Sequence, residues 1–179
     1  NYETFKNHTS ILFWSLGNES YAGDILVEMN RYYKEKHPDR LVHYEGVAEN
    51  RPYEDLISDM ESQMYAPPEK IKEYLENNPK KPFILCEYMH DMGNSLGGME
   101  SYIRLLDQYE DYQGGFIWDY IDQALFVKDE VTGRDVLRYG GDFDDRPSDY
   151  EFSGNGILFA DRTEKPAMQE VRHYYGLRR

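Results

Sequence analysis

Glu87 closes the apolar run Phe83-Ile-Leu-Cys86, and the chain then breaks into a loop carrying His90, Gly93 and Asn94. Sixty-eight residues earlier, the run Ile11-Leu-Phe-Trp-Ser-Leu16 stops at Gly17 and is followed by Asn18 and Glu19. A carboxylate at the end of a buried strand is costly unless it opens onto a rim. In α/β folds the rim at the carboxyl ends of the strands is where chemistry is done. Two acids delivered to one rim suit hydrolysis of a glycosidic bond. One, protonated, donates to the leaving oxygen; the other, ionised, attacks the anomeric carbon or activates water. Two glutamates among 34 acids do not make a site by themselves, because most acids are solvated. Trp14, Tyr65, Tyr88, Trp118 and Tyr120 lie on or beside strand ends, and aromatic faces are what sugar rings stack on. Trp14, in mid-strand, reads as core; Tyr65 and Trp118 read as pocket.

Other reactive side chains fit a different chemistry less well. Cys86 with His90 has the composition of a thiol nucleophile pair, but strand alternation points Cys86 away from Glu87, and a packed Cys is inert. No His pair has metal-ligand spacing, which argues against a zinc site. His8 reads as a loop residue, His37 and His173 as surface, and His43 as core or rim. Glu45, Asp119 and Asp122 are strand-end acids that either support a site or are structural. The acidic loop 140–151 reads as a solvated face.

The elements that must carry these residues alternate. Strands are expected at 11–16, 41–44, 61–65, 83–87 and 114–119. Ser20 caps a helix reaching His37-Pro38, with Ile25, Leu26, Met29, Tyr32 and Tyr33 on one face. Pro67-Pro68 opens a second helix with Ile71, Tyr74 and Leu75 inward. A third, Met99 to Tyr109, buries Tyr102, Ile103, Leu106 and Tyr109. A hairpin turns at Thr132-Gly133, and a last helix runs from Pro166 to Tyr175. Strand–helix alternation means a parallel sheet, either an open doubly wound sheet or part of a (β/α)₈ TIM barrel. No Gly-rich phosphate loop follows any strand, so the barrel is preferred. A whole barrel takes about 250 residues. Residues 1–179 therefore read as the C-terminal portion of a TIM-barrel catalytic domain, about strands four to eight, in a fragment of a longer chain.

Composition narrows the partners. The chain has 179 residues, a net charge of −14 and 15% aromatic residues. The charge argues against nucleic acid and anionic membranes, and no apolar run approaches the roughly 20 residues of a membrane helix. A single Cys excludes an intrachain disulfide, which leans toward a cytoplasmic location.

Several ordered motifs resemble family-two glycoside hydrolases, and among them the large bacterial β-galactosidases. They are Trp14-Ser-Leu-Gly-Asn18-Glu19-Ser, Ile84-Leu-Cys-Glu87-Tyr-Met-His90-Asp-Met-Gly-Asn94-Ser, Gln113-Gly-Gly-Phe-Ile-Trp118-Asp, Tyr139-Gly-Gly-Asp-Phe and Phe159-Ala-Asp-Arg-Thr. The resemblance runs from His8 to about Tyr174. It implies a retaining β-galactosidase that acts on terminal β-D-galactosides such as lactose through a galactosyl-Glu intermediate. Glu87 is then the nucleophile, Glu19 the acid/base, and Tyr65 a hydrogen-bond partner of the nucleophile. Asn18, Met64, His90 and Trp118 bind the sugar. It further implies magnesium held in part by Glu19 and sodium held by the Phe152 carbonyl and Asn155, with the other ligands upstream of residue 1. Ser153-Gly154 departs from the expected sodium segment. The rival reading is a catalytically incomplete fragment whose open sheet edges favour a homo-oligomer, or a half that complements the remainder of the parent chain.

Overall fold

The computed structural model describes residues 1–93 and 95–176. Asn94, part of the Glu87 motif, lies outside the described residues. The chain divides into two compact units: Asn1–Cys86 with Leu105–Gly115, and Glu87–Arg104 with Phe116–Arg179.

In the first unit the order is α1 (Tyr2–Phe5), β1 (Phe13–Ser15), α2 (Asp24–Lys36), β2 (Leu41–His43), α3 (Glu54–Ile57), β3 (Glu61–Met64) and α4 (Pro68–Glu76). Strand β4 (Phe83–Tyr88), helix α5 (Met99–Gln108) and strand β5 (Tyr112–Ile117) run across the division. β1 and β2 pair in parallel, Trp14 opposite Val42, and β3-β4-β5 form a second sheet. The five expected strands are therefore all present, but as a pair and a triplet. Residues 45–57, between the expected strands at 41–44 and 61–65, coil into two 3₁₀ turns and α3. One backbone bond, Asp59 N–H to the Val42 carbonyl at 2.8 Å, spans that step.

The core of this unit is aromatic. Trp14 is 4% exposed and meets Tyr2 and Tyr33 with ring centroids 5.6 and 5.4 Å apart. Such offset contacts stabilise by about 0.5–1.5 kcal/mol beyond area burial. The mid-strand Trp14 is core, as its position requires. Helix α2 departs from expectation. It is capped by Gly23 rather than Ser20, whose backbone N–H and carbonyl both bond the Tyr44 hydroxyl. Of the expected face, Tyr33 is buried and Leu26 and Met29 pack against the core, Val27 joins them, and Ile25 and Tyr32 are exposed. α4 buries Ile71 and Leu75, and Tyr74 donates its hydroxyl to the Lys81 carbonyl at 2.9 Å. On α5, Met99, Ile103 and Leu105 are the buried residues. Leu105 takes the place of the expected Tyr109, which is half-buried and bonds Glu76.

The second unit holds the loop after β4, the hairpin β6 (Leu125–Lys128) and β7 (Asp135–Arg138), and helix α6 (Met168–Gly176). The hairpin is antiparallel with Lys128 opposite Asp135. Its turn is held by the Asp129 carboxylate, which accepts from the Thr132 N–H and hydroxyl, both at 2.7 Å. A parallel bridge pairs Ile121 with Leu158. No helix among the described residues is long and apolar enough to cross a membrane.

Candidate functional site

Glu19 follows β1 and lies in the first unit. Its φ of 52° is left-handed, a conformation that costs an L-residue roughly 1–2 kcal/mol. What holds it there is Glu45, which follows β2 and is 7% exposed. The Glu45 Oε1 accepts the Glu19 backbone N–H at 2.6 Å. The neighbouring Ser20 is clasped by the Tyr44 hydroxyl. Gly46 makes room for this: a Cβ there would meet the Ser20 carbonyl at 2.5 Å and the Tyr44 ring at 2.6 Å. Glu45, read from sequence as a strand-end acid, thus shapes the Glu19 turn together with Gly46.

Glu19, Glu45, Gln63, Met64 and Lys70 line one cleft of about 480 Å³. Met64 was expected against the sugar, and it shares this wall with Glu19. Tyr65 follows β3 with φ 50° and is 41% exposed. Asn18 is exposed and its carbonyl accepts the Ser20 hydroxyl at 3.3 Å. An adjoining groove of about 410 Å³, which shares Gln63 and Lys70 with that cleft, is lined by Glu54, Asp55, Glu73 and Lys81 and carries none of the expected site residues.

The first unit also brings His43, Glu45 and Cys86 together, with donor atoms all within 4.8 Å of one another. Sequence spacing did not reveal this cluster because its members come from two strands and a turn. Both ring nitrogens of His43 are already engaged, Nδ1 with the Ser15 hydroxyl at 2.9 Å and Nε2 with the Ser62 hydroxyl at 2.7 Å. Burial pushes the His43 pKa down to about 4, so the ring is a neutral part of the packing. Cys86 is half-buried and faces this cluster.

In the second unit, Glu87 is half-buried near the end of β4, and Met89 beyond it has φ 53°. His90 Nε2 lies 3.0 Å from Asn155 Oδ1, and Asn155 in turn donates through Nδ2 to the Phe152 carbonyl. The Phe152 ring meets His90 edge-on, with centroids 5.8 Å apart. Trp118, Phe152 and Asn155 line a cleft of about 200 Å³. Four of the expected site residues therefore gather at this end. Trp118 is anchored by two backbone bonds, its N–H to the Tyr88 carbonyl at 3.0 Å and its carbonyl from the Asp91 N–H at 2.9 Å.

Beneath this group sit residues that sequence reasoning passed over or left open. Asp91 is 2% exposed and its Oδ2 has no hydrogen-bond partner. Burial pushes its pKa up to about 6; nearby Lys165 opposes that rise and Asp122 adds to it. Lys165 Nζ is 2.8 Å from Asp122 Oδ1. Nothing in the sequence marks Lys165, since its partner is 43 residues away.

The family model described as "Glycosyl hydrolases family 2, TIM barrel domain" matches residues 1–178. A β-galactosidase large subunit from Latilactobacillus sakei is 74% identical over 98% of this chain, and one from Lactobacillus helveticus is 72% identical over 99%. A β-galactosidase from Halalkalibacterium halodurans is 60% identical over 97%. The chain spans 28% of the length of the first two and 17% of the third. Among solved structures, a Lactobacillus rhamnosus β-glucuronidase superposes with a TM-score of 0.62 at 18% identity, over 97% of this chain and 33% of that one. That likeness concerns the fold.

Proposed function

We propose that this chain, which belongs to family 2 of the glycosyl hydrolases and to that family's TIM barrel domain, is the part of a retaining β-galactosidase that carries both catalytic carboxyls. The observation that carries the reading is identity of 74% and 72%, across nearly the whole chain, to proteins named β-galactosidase large subunit. The full protein is then a longer polypeptide, of which this segment supplies about strands four to eight, and it works with a smaller partner subunit.

In this reading the Glu87 carboxylate attacks the anomeric carbon of a terminal β-galactoside such as lactose. The glycosidic C–O bond breaks as Glu19 gives its proton to the leaving oxygen, and a galactosyl ester forms on Glu87. Water then loses a proton to Glu19 and adds to the anomeric carbon, releasing Glu87 and galactose with retained configuration. The turn that holds Glu19 by its own backbone N–H leaves the carboxyl unencumbered by that contact. Asn18, Met64, His90 and Trp118 bind the sugar, and Tyr65 steadies the nucleophile.

The oxygen donors suit the two hard cations that the resemblance implies. Glu19 shares its cleft with Glu45 and Glu49, an acidic wall suited to magnesium. The Phe152 carbonyl and the Asn155 amide lie in contact, and these two groups would hold sodium. Bound there, the cations would supply charge compensation for carboxylates and sugar hydroxyls.

The test is hydrolysis of a chromogenic β-galactoside and of lactose by the full-length protein, beside its Glu87→Gln variant. Hydrolysis abolished by the substitution supports the reading. Equal rates in both remove Glu87 as nucleophile, and a preference for β-glucuronides over β-galactosides removes the substrate.

A further inference from the structure

Asn155 is 5% exposed and is flanked by two groups held from below. On one side, the Gly154 carbonyl accepts from Lys165 Nζ at 3.2 Å. On the other, the Gly156 N–H donates to Asp122 Oδ1 at 2.8 Å. The same Oδ1 receives Lys165 Nζ at 2.8 Å. The two side chains are only 14% and 11% exposed. A buried ion pair of this kind contributes little net stability over an apolar pair of the same shape. Here, however, its geometry is specific: carboxylate and ammonium together grip the peptide units on either side of one residue.

The backbone confirms how closely this loop is seated. The Asn155 carbonyl accepts the Asp119 N–H at 2.7 Å, and the Ile157 N–H returns to the Asp119 carbonyl at 2.9 Å. A Cβ on Gly156 would lie 2.3 Å from the Asp122 nitrogen, so the loop rests directly on the 121–122 backbone. Its outward product is the Asn155 amide, whose Oδ1 faces His90 Nε2. An acceptor at that position fixes the proton on Nε2 and the plane of the ring.

We propose that Asp122 and Lys165 are positioning residues for His90: they lock the Gly154–Gly156 turn so that Asn155 holds the imidazole in one tautomer and one orientation toward the sugar. The role of His90 as a sugar-binding group rests on the function proposed above; the mechanical link from Lys165 to His90 does not.

The experiment uses the full-length protein with its partner subunit. Lys165→Met removes the cation and keeps the bulk, Lys165→Arg restores a cation, and Asp122→Asn removes the anion. With a chromogenic β-galactoside, Lys165→Met is expected to raise KM and the galactose inhibition constant together by about tenfold, with kcat changed less than about threefold, and Lys165→Arg to recover most of the loss. In a His90→Ala background the further effect of Lys165→Met should shrink to less than about twofold, since coupled residues are not additive. An undiminished effect in that background, or a lowered melting temperature with KM unchanged, overturns the proposal. The His90 ring is also read by selective isotope labelling and NMR. A single Nε2–H tautomer in the unmodified protein and a mixed one in Lys165→Met supports the link, and an unchanged ring signal overturns it. That second readout stands even if no β-galactoside is hydrolysed, a result that would defeat the proposed function alone.

Discussion

The buried carboxylate of Glu45 accepts the backbone N–H of Glu19 at 2.6 Å. One acid thereby sets the backbone of another at a left-handed φ of 52°. Replacing Glu45 by Ala leaves that N–H without its partner and frees the turn. Charge-assisted hydrogen bonds of this type contribute about 1.5–3 kcal/mol. We expect Glu45→Ala in the full-length protein to lower kcat by about tenfold or more, with Glu45→Gln, which keeps an acceptor oxygen, losing less. Steady-state kinetics of the two variants checks the order; Gln losing as much as Ala would show that the bond does not present Glu19.

Leaving groups separate the two proposed catalytic carboxyls. A nitrophenolate departs without a proton, whereas the sugar alcohol of lactose needs one. Glu19→Gln should therefore lose about 10²–10⁴-fold on lactose and much less in glycosylation by an activated aryl galactoside. Glu87→Gln should lose both substrates alike. Pre-steady-state kinetics on the two substrates tests this, and equal losses for Glu19→Gln would remove its role as acid.

His43 makes stability depend on acid. Its pKa falls from 6.5 in the open chain to about 4 in the fold, because burial disfavours the imidazolium. The unfolded chain binds the proton more readily, so stability is full above about pH 6.5 and declines as pH drops toward 4. The loss across that window is on the order of 3 kcal/mol. Urea denaturation of the full-length protein between pH 4 and 7 should show a flatter dependence for His43→Gln than for the unmodified protein.

Asp91 works in the opposite direction. Its pKa rises from 3.8 to about 6 on burial, so the folded state retains a proton that the unfolded chain has released. Stability contributed by this residue is present below about pH 4, is lost as pH climbs to about 6, and stays lost above. Asp91→Asn, a neutral mimic, should stabilise the protein at pH 8 by up to about 3 kcal/mol and be nearly neutral at pH 4. No gain at pH 8 would mean that Asp91 keeps its charge at no cost in the fold.

Gly46→Ala tests the seat of the Glu19 turn. The new methyl meets the Ser20 carbonyl and the Tyr44 ring, and such overpacking costs about 1–3 kcal/mol. A lowered melting temperature accompanied by reduced kcat is the expected pair of results.

Sequence reasoning located the strands and both glutamates because local signals mark them: an apolar run, a break, then an acid. It placed Trp14 in the core and located α4 and the hairpin for the same reason. It misplaced the start of α2, because Ser20 is taken up by the Tyr44 hydroxyl, 24 residues away, and the cap falls at Gly23. It did not mark the helical turns at 45–57, because short turns of polar residues are stabilised by what they pack on rather than by propensity. The His43–Glu45–Cys86 cluster and the Asp122–Lys165 pair were illegible because each joins residues that only the folded backbone brings together.

Glu19, Tyr65 and Met89 all occupy left-handed backbone conformations, where glycine would sit at ease and a side chain does not. At each of these three positions the polypeptide keeps a side chain against the preference of its own backbone. Glycine at any of the three would relieve that preference and give up whatever the side chain there contributes.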